Sequence, residues 1–250
     1  MNLTKPSILA VTQLATLFAL QHQCNQILIG EDYLDNPPSN LNFRLASDKE
    51  FFESYDHLDY KWWKKGATNK PQFALEMVDC IHFNLSEALG VFNKQNMSIA
   101  EGVEDFHKHL TIVTDGVLEN FDTVSAQMQA ELDAGTDPNR VLLEVVDAHR
   151  VAYINATCVE KTFMNFLLAH IAGMDTQQVF TTYVAKNTLN IFRATHGYKD
   201  GTYIKNWFGE EDNATIEQYM ACIDMSQPDS VDLLNVLLEA TYATVVATQA

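Results

Sequence analysis

Apolar residues recur at three- and four-residue intervals along most of this chain. No stretch shows the sustained two-residue alternation of a half-buried strand. Ten glycines and six prolines are few for 250 residues, which favours long helices over many short strands and turns. The spacing of Ile8, Leu9, Leu14, Leu17, Phe18 and Ile27 predicts a first helix over about 7–28. Ser47 and Glu50 have the spacing of a capping box, so a second helix is expected to open there and run through EFFESYDHLDYKWW to a break at Gly66. Pro71 sits where the first turn of the next helix begins, and that helix is expected over about 72–93. Others are expected from after Ser98 towards Leu132, from Asp137-Pro138 to about Ala172, and from Asp175 to His196-Gly197. A last helix is expected from Asp229 to about Ala247, and 197–213 reads as a polar, aromatic loop. The fold class is all-α, a single domain over 1–250 built as a bundle of about six long helices.

A formal net charge of −17 excludes a broad basic face for a nucleic-acid polymer, but not a local site for one nucleotide. Cys24, Cys80, Cys158 and Cys222 are far apart, lack a CxxC pair and lie in apolar periodic segments. They read as free buried thiols of a reducing compartment. The apolar N-terminal run is interrupted by Thr12, Gln13 and Thr16 and reads as the first helix rather than a signal peptide. No run of 18 apolar residues occurs, so no membrane span or membrane partner is expected.

Against this acidity, half of the Lys and Arg residues fall in two islands: Lys61, Lys64, Lys65 and Lys70, and Lys186, Arg193, Lys199 and Lys205. Such islands in a negative chain suit a small, strongly anionic ligand. The acids supply a complement. Glu50 and Glu53 lie three apart, as do Glu76 and Asp79, so each pair shares one helix face. Two antiparallel helices would bring four carboxylates together, a costly cluster that suits a hard cation such as Mg²⁺. Spacing alone is weak, because Glu101/Glu104 and Glu144/Asp147 repeat it and read as solvated faces. What distinguishes Glu76 and Asp79 is their setting among Phe73, Met77, Ile81 and Phe83, where a buried carboxylate needs a partner. Glu104 and His107 form one Glu-x-x-His, but a di-iron bundle needs two, so His107 and His109 read as surface residues.

Four blocks together resemble the dimeric, all-α dUTPases, relatives of the MazG-like nucleoside triphosphate pyrophosphatases and of phage dCTPases and dUTPases. They are LQHQCN at 20–25, EFFES then KWWKK within 50–65, EMVDCIHFNLS at 76–86, and KNTLNIFRATHGYKDGTYIKNWFGEEDN at 186–213. The last block is the specific one, and about 97–175 matches only as generic helix. The resemblance implies Mg²⁺-dependent hydrolysis of dUTP, and of dUDP, to dUMP with release of pyrophosphate from dUTP, limiting uracil in DNA. It implies attack at the β-phosphorus, two or more Mg²⁺ per site, a homodimer and a cytoplasmic location.

By the same resemblance Glu50, Glu53, Glu76 and Asp79 are metal ligands, with Glu50 or Glu53 also activating the attacking water. Lys186, Arg193, Tyr198, Lys199 and Lys205 hold the phosphates. Gln21 and Asn25 read the base edge, Trp62, His82 and Phe83 wall the base and deoxyribose, and Asn190 touches sugar or base. The chemistry agrees: fixed cations and metals must screen a triphosphate before water attacks it. Gln21 and Asn25 fall on one helix face, and each offers a donor and an acceptor to the alternating edge of uracil. Cys24 and Tyr33 stand where the family usually has Leu and Trp, and Tyr33 is expected to substitute for the latter. A flipped amide at Gln21 or Asn25 would read cytosine, so a dCTP-preferring or broader pyrophosphatase is the near alternative. A non-catalytic nucleotide sensor is the distant one. Residues 197–213, with Gly197, Gly201 and Gly209 as hinges, are expected to close over the phosphates.

Overall fold

The computed structural model describes residues 1–225, 227 and 229–249. Among them are ten α-helices: α1 (Val11–Leu28), α2 (Phe43–Glu53), α3 (Lys70–Lys94), α4 (Ile99–Leu118), α5 (Phe121–Asp133), α6 (Pro138–Asn155), α7 (Cys158–Ala172), α8 (Thr176–Thr195), α9 (Asp212–Met220) and α10 (Ser230–Gln249). A two-residue hairpin, β1 (Asn206–Trp207) and β2 (Glu210–Glu211), is the sheet structure among these residues.

Helix α3 is the axis of the molecule. Phe73, Met77, Val78, Ile81, Leu85, Ala88 and Leu89 recur at helical spacing and are buried. Each large side chain so buried contributes about 1.5–3 kcal/mol relative to exposure. Helices α2 and α7 pack most extensively on α3, and α1 and α8 close the other side. Helix α10 is long and apolar enough over Ser230–Thr248 to cross a membrane by length and composition alone. Its residues Leu234, Leu238, Tyr242 and Val245 instead form one buried stripe, and the helix packs on α8.

Several boundaries follow the local chemistry named above. Pro71 lies in the first turn of α3 behind the Asn69 cap, Asp137 caps α6 ahead of Pro138, and Asp175 caps α8. Ser98 and Glu101 form a reciprocal capping box on α4. Helix α8 ends with Gly197 at φ +88° and Tyr198 N–H donating to Arg193 O (3.1 Å), a Schellman closure.

Other boundaries correct the sequence expectation. Ser47 does not open α2. Asn42 caps that helix by accepting from Leu45 N–H (2.9 Å), while Ser47 is buried inside it, donating to Asn84 Oδ1 (2.7 Å). Helix α2 also stops at Glu53 and continues only as a 3-10 turn over Ser54–His57. The two long central helices expected over 99–132 and 138–172 are each two helices. Thr157 and Glu160 form a capping box that starts α7 afresh, and α5 restarts at Phe121. Cys24, Cys80 and Cys158 are buried and free, but Cys222 is exposed, because it lies on the turn beyond the end of α9.

Candidate active site

Helices α2 and α3 carry the acidic residues to one place. One oxygen each of Glu50, Glu76 and Asp79 lie within 4.8 Å of one another. All three side chains are less than a quarter exposed. Burial, then the neighbouring Asp79 carboxylate, pushes the Glu50 and Glu76 carboxyls up to about 7. Three carboxylate oxygens gathered this closely fit a hard dication. Glu53 stands outside the trio. Its half-exposed carboxylate pairs with Lys49 (2.7 Å), and the hydrogen bond from Lys49 holds its pKa down.

Two further groups touch the trio. Lys186, from α8, donates to Asp79 Oδ2 at 2.5 Å, and His57 Nε2 lies 3.2 Å from Glu76 Oε1. Burial lowers the His57 pKa, which favours its neutral form. Sequence spacing gave no sign of His57, because the 3-10 turn that presents it breaks the helical register.

The rest of the basic segment is arranged differently from a row of free cations. The Arg193 guanidinium is largely buried and forked on Asp212, with Nε to Oδ2 at 2.8 Å and Nη2 to Oδ1 at 2.6 Å. It also donates to Asn190 Oδ1 (3.2 Å) and Asn213 Oδ1 (3.2 Å). Tyr203 donates to the same Asp212 (2.7 Å), and Trp207 is fully buried. Residues 203–213 are thereby clamped to α8. Tyr198 and Lys199 are exposed, and Lys205 pairs with Glu211 (3.0 Å). At the hairpin tip Phe208 is exposed with φ +55°, a left-handed conformation that is costly for a bulky residue. The second island forms a small cavity of about 130 Å³, in which Lys61, Lys64 and Lys65 face Asp56 and Asp59. Lys61 already pairs with Asp56.

Further along α3 lies a buried polar network. Gln21 and Asn25 of α1 are both buried, and Gln21 Nε2 donates to Asn25 Oδ1 (3.0 Å). Gln21 Oε1 accepts from three donors: His82 Nδ1 (2.9 Å), the Tyr183 hydroxyl (2.6 Å) and Asn187 Nδ2 (3.3 Å). Asn25 Nδ2 donates to Ser86 Oγ (3.0 Å) and to the Tyr33 hydroxyl (3.4 Å). Tyr33 therefore joins this network. The His82 ring stacks on Tyr183 with centroids 3.8 Å apart, and burial lowers its pKa to about 3. Among the described residues, His82 Nε2 and Asn187 Oδ1 are buried polar atoms without a partner. Phe83 and Asn190 are half-buried beside this region of α3 and α8. Trp62 is 90% exposed on the loop after the 3-10 turn and packs only edge-on to Trp63. Tyr183, Asn187 and Ser86 were not singled out from the sequence, although 86 and 187 lie inside the matching blocks.

A groove of about 480 Å³ lined by Arg44, Glu87, Phe92, Phe106 and Cys158 lies between α3, α4 and α7, and none of the clustered carboxylates reaches it. The chemistry of the molecule lies at the α2–α3–α8 junction instead. Four features meet there: an acidic trio, an ammonium, a neutral histidine and a buried polar network. Such a place can hold a metal-bound polyanion attached to a flat polar ring. A family model described as dUTPase matches residues 13–198 of the chain. No curated protein matches it.

Proposed function

The chain belongs to the all-α dUTPase family and is a dUTP diphosphatase; from that membership we propose a Mg²⁺-dependent reaction that yields dUMP and pyrophosphate, with dUDP as a second substrate. The observation that carries the metal dependence is the convergence of Glu50, Glu76 and Asp79 within 4.8 Å. Hard dications bound there would screen the triphosphate charge and acidify water. In this reading Glu50, Glu76 and Asp79 are the inner ligands of one or more Mg²⁺. Glu53 is kept ionised by Lys49, which suits a carboxylate that orients water or completes a second ion's shell.

Lys186 neutralises Asp79 in the resting protein and turns to phosphate oxygens when substrate arrives. Tyr198, Lys199 and Lys205 extend that cationic side. The Arg193–Asp212 fork holds the 203–213 segment as the base of a lid, so Arg193 reaches phosphate only after this segment shifts. Gln21, Asn25, His82, Phe83 and Asn190 form the nucleoside end, and Trp62 covers the ring from its exposed loop on binding. The whole of 1–250 acts as one domain, and the protein is a homodimer of the cytoplasm.

Pyrophosphate release from a panel of deoxynucleoside triphosphates, with and without Mg²⁺, tests this reading. The expected result is release from dUTP that stops when the metal is chelated. Turnover that persists in a chelator would refute the metal role.

A further inference from the structure

Each acid of the trio meets a nitrogen. Lys49 Nζ lies 3.7 Å from Glu50 Oε1, Lys186 Nζ 2.5 Å from Asp79 Oδ2, and His57 Nε2 3.2 Å from Glu76 Oε1. The first two are ammonium groups, which oppose a cation placed beside them. An imidazole differs, because its ring N–H donates without needing a charge. An ionised carboxylate only accepts, and its two oxygens have lone pairs for a ring N–H and a metal ion together. With an ion bound, the proton between the two side chains therefore sits on His57 Nε2.

The backbone fixes where this ring stands. The 3-10 turn Ser54–His57 packs on α3. Ser54 is buried and donates to Phe51 O (2.7 Å), and Leu58, also buried, donates its N–H to Tyr55 O (3.0 Å). From the other side Asn69, the cap of α3, donates its N–H to His57 O (2.8 Å). Residues 58–68 thus leave and return at His57, whose side chain is less than a third exposed. A glutamate that must first find its rotamer loses conformational entropy when an ion binds, and one already held loses less.

We infer that His57 is a positioning residue for the metal: its ring N–H holds the Glu76 carboxylate beside Glu50 and Asp79, so that the three oxygens are gathered before an ion arrives. The inference rests on the metal reading of the trio above. His57 is not itself a ligand in this account. It acts through Glu76.

The test takes the full-length protein without nucleotide and reads Mg²⁺ affinity from the rise in melting temperature across a Mg²⁺ series. His57→Ala removes the ring but keeps the backbone carbonyl that accepts from Asn69. Its Mg²⁺ dissociation constant is expected to rise about 10–100-fold, the usual loss for a hydrogen-bond partner of a metal ligand. His57→Gln carries an N–H at nearly the reach of Nε2 and should recover most of that loss. A His57→Ala protein that melts lower but binds Mg²⁺ as the wild type does would overturn the inference alone, since the contact would then only stabilise the fold. A His57→Gln protein as weak as His57→Ala would also overturn it. One measurement needs no variant: nitrogen-15 NMR of the Mg²⁺-bound wild type should show a proton on His57 Nε2, and a bare Nε2 would overturn the inference. A wild type whose melting Mg²⁺ leaves unchanged would overturn the metal reading, and the inference with it.

Discussion

Glu76 sits between a cation-seeking cluster and a neutral imidazole, and its carboxyl is raised to about 7 chiefly by burial. Glu76→Gln removes one of three crowded acids while keeping the shape. The metal-free variant should match or exceed the wild type in thermal stability at pH 8, because a like-charge contact is lost. Its dUTP kcat/KM should fall at least about 100-fold, as expected for loss of a metal ligand. Calorimetry and a pyrophosphate assay on one preparation read both. At this scale the sequence was informative where a helix face was apolar. The i, i+3 pair on α3 is half-buried, on a helix whose Phe73, Met77 and Ile81 are buried, and belongs to the cluster. The control pairs stay on the surface. Glu101 is spent on the Ser98 cap, Glu144 pairs with Arg140, and Asp147 pairs with Arg150. Glu53 was not separable from Glu50 by spacing, because what moves it aside is a local partner, Lys49.

At the scale of elements, α2 is fastened to α7 by Lys161, whose side chain is 0% exposed and donates to Asp48 at 2.5 Å while lying 4.9 Å from the Tyr153 ring centre. Tyr153 of α6 also stacks on Phe51 (4.0 Å), so α2, α6 and α7 meet there. Asp48→Asn leaves a buried ammonium without its counter-charge and should cost about 3–5 kcal/mol in urea unfolding. The double variant Asp48→Asn/Lys161→Met should recover much of that loss. Caps and prolines made most element starts legible. The break before α7 was missed, although Thr157 and Glu160 have the capping-box spacing that signals it. The early stop of α2 was not legible, because the apolar and aromatic run past Glu53 packs as a 3-10 turn and loop rather than as further helix. The clamp of 203–213 on α8 is a contact between Arg193 and Asp212, 19 residues apart, and no periodicity announces such a pair. Asp212→Ala should free that segment, seen as faster cleavage by protease within 203–213, with loss of dUTP turnover if the lid seats there.

For the whole molecule, the raised carboxyls couple stability to pH. Glu50 and Glu76 titrate near 7 when folded and near 4.5 when unfolded, so the native state binds more protons between those values. Metal-free protein should therefore lose stability as pH rises from about 4.5 to about 7, in the opposite sense to a salt-bridged carboxylate. Adding Mg²⁺ at pH 8 should restore it, because a ligand that binds only the folded state raises its melting temperature. A melting series across pH, with and without the ion, reads both slopes. The two basic islands were visible in composition alone, and their partners were not. Lys186, Arg193 and Lys205 each meet an acid brought by the fold. On the proposed metal role of Asp79, the Lys186–Asp79 contact would make the metal-free enzyme its own inhibitor. The ammonium lies on one Asp79 oxygen, so an ion bound by that carboxylate would compete with the lysine. Displacing the lysine would free it for the triphosphate. Metal and nucleotide should accordingly tighten each other by the same factor, as reciprocity requires. Titrating Mg²⁺ with and without a non-hydrolysable dUTP analogue should show that cooperation, and Lys186→Met should raise affinity for the ion alone while abolishing the mutual gain.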